Sequence, residues 1–176
     1  MKLFRHGPQG AEKPGLLDAS GALRDLSGVI ADITPATLGP DFMSRLAALD
    51  PGTLPLVPTG ARLGACVGGV GNVVCIGLNY ADHAAEAGLK LPGQPIVFNK
   101  HNGAISGPND SVWLAPGSQK LDWEVELGIV IGERAFHVSE ADALNHVAGF
   151  CLVNDVSERA YQTEYEGQWT KGKSYP

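Results

Sequence analysis

A basic surface is missing from this 176-residue sequence: 13 Lys and Arg stand against 19 Asp and Glu, a formal net charge of −6. A nucleic-acid platform needs a positive face to neutralise phosphates, so that class of partner is excluded. An anionic small molecule is not, because a metal ion and a few placed Lys or Arg reverse the field locally. No apolar run is long enough to cross a bilayer. The opening Met1-Lys2-Leu3-Phe4-Arg5-His6-Gly7 leads into polar residues and lacks a signal-peptide apolar core. No membrane partner is expected. Cysteine is scarce: Cys66, Cys75 and Cys151 show no CxxC spacing. An odd count in apolar surroundings reads as reduced core thiols, hence a cytoplasmic protein. Internal repeats and low-complexity tracts are absent too. Gly68-Gly69-Val70-Gly71 precedes a strand instead of joining one to a helix, which excludes a nucleotide phosphate loop.

What is present is a globular composition, 44% hydrophobic and 18% charged, with 23 Gly and 12 Pro favouring turns and short strands over long helices. Residues 1–66 read as a small α+β unit. Met1 to Arg5 makes a strand, and Gly15 to Leu26 two short strands about a Ser-Gly turn. Asp41 to Leu49 makes a helix with Phe42, Leu46 and Leu49 on one face. Residues 67–176 carry more strands: Val73 to Leu78, Pro95 to Lys100, Val112 to Leu114, Trp123 to Gly132 and Ala148 to Val156. Short helices are expected over Asn79 to Glu86 and over Glu140 to His146, the latter capped by Ser139. Glu158 to Glu166 reads as a helix or an irregular arm. Many strands with few helices predict a β-rich α+β fold instead of a doubly wound sheet.

Glu124 and Glu126 lie two apart in a strand pattern, so they share a face, with Trp123, Val125 and Leu127 on the other. Adjacent like charges cost free energy unless a cation lies between them, and hard oxygen donors suit Mg²⁺, Ca²⁺ or Mn²⁺. A solvated face with nearby Lys or Arg explains the same spacing. Asp155, ending the apolar run Gly149 to Asn154, is a third ligand or an ordinary turn opener. His83 and Glu86, three apart on a helix, make a general-base dyad or a surface pair. Lys100, Arg159, Lys171 and Lys173 are candidates for holding a carboxylate or enolate.

Several segments, taken in order, resemble the fumarylacetoacetate hydrolase family. They are Val74 to Glu86 (VCIGLNYADHAAE), Pro95 to Lys100 (PIVFNK), Ile105 to Asp110 (ISGPND), Asp122 to Gly132 (DWEVELGIVIG), Asn154 to Arg159 (NDVSER) and Lys171 to Ser174 (KGKS). Residues 1–66 resemble the small N-terminal domain of some bacterial members. The resemblance implies a mixed β-roll or barrel, with a divalent ion, usually Mg²⁺, on Glu124, Glu126 and Asp155. It implies that His83 and Glu86 activate water, that Lys173 stabilises developing negative charge, and that Arg159, Gln162 and Lys100 contact or orient substrate. A homodimer is expected from it. Family members continue past the Lys-Ser segment, so a catalytic domain incomplete at Pro176 is also expected.

The reaction implied is hydrolytic C–C cleavage of a β-diketo or 2-keto acid of the acylpyruvate or fumarylpyruvate kind. Alternatives within the family are an isomerase or decarboxylase of the 2-hydroxymuconate or oxaloacetate type, serving aromatic degradation, and a ureidoglycolate lyase. From a different class comes a fragment that binds metal or a partner without turnover.

Overall fold

A computed structural model describes residues 1–175; Pro176, the expected end of an incomplete domain, lies outside the described residues. In chain order the elements are β1 (Lys2–His6), β2 (Lys13–Leu17), β3 (Leu23–Asp25), α1 (Pro40–Ala47), β4 (Leu63–Gly64), β5 (Val73–Gly77), α2 (Ala81–Glu86), β6 (Ile96–Lys100), β7 (Leu121–Asp122), β8 (Val125–Ile131), β9 (Val147–Asn154), β10 (Ser157–Glu158) and α3 (Trp169–Lys173). The fold is mixed and β-rich, with short helices, as the composition predicts. No helix is long and apolar enough to cross a membrane among the described residues.

The chain divides into two compact units, neither continuous in sequence. The first holds Met1–Val70, Ser106–Ser111 and Val125–Val153. Its sheet has the order β3-β2-β1-β4, with β1 antiparallel to both β2 and β4. The Ser-Gly turn closes as expected, because the Asp18 carboxylate accepts from the backbone amides of Ser20 and Ala22. The core gathers Leu16, Leu26, Ile30, Ile33, Leu38 and Leu46, with Val130 and Ala148 packed against it. Arg5 grips Asp32, and Arg62 grips Asp110, while Glu12 accepts from both arginines. These pairs tie the strands to the loop segments in place of a larger core.

In β8 the usual pattern is turned over. Glu126, Gly128 and Val130 lie on the more buried side, while Val125, Leu127, Ile129 and Ile131 are exposed. Its partner β9 likewise exposes Phe150 and Leu152, the latter 82% accessible.

The second unit holds Gly71–Ile105, Val112–Glu124 and Asn154–Pro176. Strands β5 and β6 pair antiparallel, as do β7 and β10. Trp169 of α3 meets Phe98 of β6 edge-on at 5.4 Å between ring centroids. Thr170 donates its hydroxyl to the carbonyl of Asn99, fastening α3 across β6.

Two expectations need correction, and two further elements take a particular form. Val112 to Leu114 form no strand; all three side chains are exposed, so the apolar run has nothing to pair with or pack on. The single strand expected over Trp123 to Gly132 breaks at Trp123-Glu124, where side chains replace ladder partners. The Trp123 amide donates to Asp122 Oδ1, and the Glu124 amide to Asn154 Oδ1. The helix expected over Glu140–His146 forms as a 3₁₀ helix, capped by Ser139 as expected. Within the arm, Ala160–Glu164 is a π-turn, and α3 follows where no helix was expected, its Gly172 masking the signal.

Candidate functional site

The pairing of β7 with β10 sets Asp122 opposite Ser157 and Leu121 opposite Glu158. Glu158 is buried under this junction. It accepts the Ser118 hydroxyl and the amides of Lys120 and Ala160. Burial alone would raise its pKa, but these donors outweigh that and hold the carboxyl below its usual value. A charge fixed in this way shapes the backbone on either side of Arg159.

Arg159 spans two carboxylates. Its Nε and Nη2 donate to Asp122 Oδ2 at 3.0 and 2.8 Å, and Nη1 lies 2.5 Å from Glu124 Oε1. Nη1 also donates to Gln162 Oε1 at 3.0 Å, a residue that the π-turn places three positions on. Burial works to lower the Arg159 pKa, but the hydrogen bonds to Asp122 and Glu124 prevail and keep it raised. In return, Arg159 lowers the pKa of Asp122.

Lys173, at the end of α3, is 2% exposed and donates to Glu124 Oε2 at 2.7 Å and Asp155 Oδ2 at 2.9 Å. Lys100, ending β6, reaches Asp155 Oδ1 at 2.5 Å and the carbonyl of Val156 at 3.0 Å. Asp155 is only 1% exposed. The result is one alternating file: Asp122, Arg159, Glu124, Lys173, Asp155, Lys100. Each carboxylate faces two cations or a forked guanidinium, so no buried charge in the file lacks a partner. Alternation of sign is what makes such burial tolerable, since each desolvated charge recovers Coulomb energy from its neighbours.

Gly172 permits this placement of Lys173. A Cβ there would stand 2.5 Å from the Glu158 carbonyl oxygen and 2.6 Å from the Gln162 nitrogen, both backbone atoms that cannot swing aside.

Carboxylate oxygens of Glu124, Glu126 and Asp155 lie within 4.8 Å of one another. Three hard oxygen donors converging in this way fit Mg²⁺, Mn²⁺ or Ca²⁺.

The structure thus brings together Glu124, Glu126 and Asp155, and links Lys100, Lys173, Arg159 and Gln162 to them. His83 and Glu86 stand apart. They share the outer side of α2, both exposed, and among the described residues neither side chain bonds to the file or to the other. Asp122, Glu158 and Gly172 received no role from sequence reasoning. Each lies inside a motif that the resemblance rests on, Asp122 two residues before Glu124, Glu158 next to Arg159 and Gly172 next to Lys173.

A β-rich α+β chain that alternates carboxylates and cations from the exposed Asp122 inward to the buried Lys173 and Asp155, with a convergent oxygen trio, defines a candidate metal-dependent enzyme class. The profile of the fumarylacetoacetate (FAA) hydrolase C-terminal domain matches residues 72–176. The chain therefore belongs to the fumarylacetoacetate hydrolase family. A relative from Burkholderia cenocepacia (strain HI2424), which carries only a provisional hydrolase name, is 57% identical over 175 residues. That alignment covers 99% of this chain and 62% of the relative. The fumarylacetoacetate hydrolase of psychrophilic Exiguobacterium antarcticum is similar at a TM-score of 0.78 and 33% identity, over 99% of this chain and 62% of that one. The 5-carboxymethyl-2-hydroxymuconate delta-isomerase of Mycobacterium smegmatis is similar at 0.70 and 29%, over 99% and 61%. The chain spans about three-fifths of the length of the proteins it matches.

Proposed function

We propose that this chain carries the metal and charge-stabilising part of a divalent-metal-dependent hydrolase that cleaves C–C bonds of β-diketo or 2-keto acids. The convergence of Glu124, Glu126 and Asp155 beside buried Lys173 supports this reading above all else. Glu124, Glu126 and Asp155 would hold the ion, Mg²⁺ by preference, which when bound supplies Lewis-acid polarisation of a keto oxygen.

The chain's own residues account for the rest. His83, which Glu86 would pair with once their segment closes over substrate, takes a proton from water as the water oxygen adds to the remote carbonyl carbon. The C–C bond breaks, its electron pair passes to the α-carbon as an enolate, and the proton held on His83 completes the keto product. Lys173 presents a desolvated ammonium where that negative charge develops. Arg159, steered by Asp122, and Gln162 orient the substrate carboxylate, and Lys100 holds Asp155 in place. Exposure of His83 and Glu86 in the structure described fits a segment that closes over substrate.

A second reading, isomerisation of a hydroxymuconate-type acid, draws on the similarity to the Mycobacterium smegmatis isomerase. It needs the same enolate but no attacking water.

Calorimetric titration with Mg²⁺ and Mn²⁺ tests the seat. Binding should vanish in a Glu124→Ala/Glu126→Ala double variant, and unchanged affinity would sink the ligand assignment. Turnover of acylpyruvates, oxaloacetate and hydroxymuconate-type acids by the metal-loaded chain then tests the reaction. Isomer formation without hydrolysis would replace the first reading with the second. A metal-loaded chain inactive on the whole panel would leave metal binding without turnover.

A further inference from the structure

Strand β6 sends two side chains toward the carboxylate file. Phe98 and Lys100 lie two apart on this strand, so they share a face. Lys100 reaches Asp155 Oδ1, and Lys173 Nζ stands over the Phe98 ring, 5.4 Å from its centroid. That distance is within cation–π range. The ring is held in this orientation. Trp169 packs on it with 64° between the ring planes, and Trp169 is seated in turn on Gly77, where a Cβ would stand 2.5 Å from its Cζ3. Two hydrogen bonds bracket the contact. The Thr170 hydroxyl donates to the Asn99 carbonyl at 3.1 Å, and the His101 amide donates to Ser174 Oγ at 2.9 Å. The helix that carries Lys173 is thus pinned to the strand that carries Phe98 on both sides of the pair.

We propose that Phe98 is a positioning residue, the face of its ring keeping the Lys173 ammonium in the site when a divalent ion takes the carboxylates. The inference deepens the hydrolase reading and rests on it.

The charges around Lys173 show why such a residue is needed. The buried ammonium is balanced by Glu124 Oε2 and Asp155 Oδ2. Both of these carboxylates belong to the metal seat. An ion held there draws on the same side chains and repels the ammonium, since like charges a few ångströms apart interact strongly where water is scarce. Arg159 and Lys100 give Lys173 no support. They are cations themselves, placed on the remaining oxygens, Glu124 Oε1 and Asp155 Oδ1. A phenyl ring differs from a carboxylate in this respect. It offers no oxygen to a hard cation, while its electron-rich face still attracts a desolvated ammonium. The contact therefore survives the change that weakens both ion pairs, and Lys173 stays where negative charge develops.

Acetylation of lysines with an N-hydroxysuccinimide ester, mapped by peptide mass spectrometry, reads whether Lys173 keeps its place. Exposed Lys171 serves as the internal reference. In the wild type, Lys173 should stay protected both in EDTA and in saturating Mg²⁺. In Phe98→Leu, which keeps an apolar side chain and loses the ring, it should stay protected in EDTA, where the carboxylates still hold it. In Mg²⁺ its labelling should rise about thirtyfold, the factor set by one desolvated cation–π contact. Phe98→Tyr keeps a ring and should show wild-type protection. A ring-trifluorinated phenylalanine at position 98 keeps the shape but withdraws charge from the face. It should raise labelling in Mg²⁺ as Phe98→Leu does, and it supplies the measurement if the leucine variant misfolds.

A purely structural role for Phe98 would label Lys173 in EDTA too, and would leave the fluorinated protein like the wild type. Either result overturns the proposal. So does a Lys173 equally protected in every variant while calorimetry shows Mg²⁺ bound, a result that leaves the metal seat standing. Calorimetry showing no Mg²⁺ bound to the wild type would overturn the metal reading, and this proposal with it.

Discussion

Replacing Lys173 with Met should expose how the carboxylate file is balanced. The substitution keeps an unbranched side chain one atom shorter and removes its charge from a position 2% exposed, where it serves Glu124 Oε2 and Asp155 Oδ2 together. Breaking a buried ion pair from one side costs about 3–5 kcal/mol, because the remaining charge is left desolvated and unpaired. Here the abandoned carboxylates keep other partners: Arg159 still meets Glu124, and Lys100 still meets Asp155. The loss should therefore fall near the lower bound, about 3 kcal/mol. For a chain of this size, about 2–4 °C of Tm per kcal/mol makes that a fall of about 6–12 °C.

Mg²⁺ should reverse most of the loss. A cation filling the seat neutralises the same oxygens, and at a hundredfold excess over Kd it contributes about 2.7 kcal/mol. In the wild type it must compete with an ammonium already in place, so its stabilising effect should be smaller. Thermal melts followed by near-ultraviolet circular dichroism, for both proteins in EDTA and in saturating Mg²⁺, measure all four values. The reasoning fails if the variant melts within about 2 °C of the wild type in EDTA, or if Mg²⁺ shifts both proteins equally.

Three further outcomes are expected. Glu158 and Asp122 have folded pKa values below their unfolded ones, so their contribution is complete above about pH 5 and is lost as pH falls through the folded values. The melting temperature should thus decline below about pH 4, and Glu158→Gln should flatten that decline in a pH series of melts. Gly172→Ala puts a methyl against two backbone atoms and should cost about 1–3 kcal/mol in thermal melts, because α3 must shift to make room. Ile129→Lys with Leu152→Glu, both on the exposed apolar face, should reduce 8-anilinonaphthalene sulfonate fluorescence and self-association in sedimentation velocity, with little change in Tm. A large loss of Tm would mean that this face is already packed.

Local rules reached far in this chain. The Asp18 turn, the Ser139 cap and the apolar runs of β5, β6 and β9 follow from neighbouring residues, because turn chemistry and strand alternation act over a few positions. The expected shared side of Glu124 and Glu126 came from the same alternation, and ordered motifs carried the family. The sequence could not show that Trp123-Glu124 leaves the strand, since the partner of the Glu124 amide is the side chain of Asn154, thirty residues on.

Nor could spacing reveal what the carboxylates do to one another's surroundings. That Lys100 and Lys173 meet on Asp155, that Asp122 forks Arg159, and that buried Glu158 braces the turn between them are facts of tertiary approach. The residue types and their order were fixed by sequence, but their pairing was not. Ion pairs form between groups that folding brings within a few ångströms, and the separations in this file run from 18 to 55 positions along the chain. Sequence alone determined which charges this protein carries, and only the tertiary structure decided which of them face each other away from water.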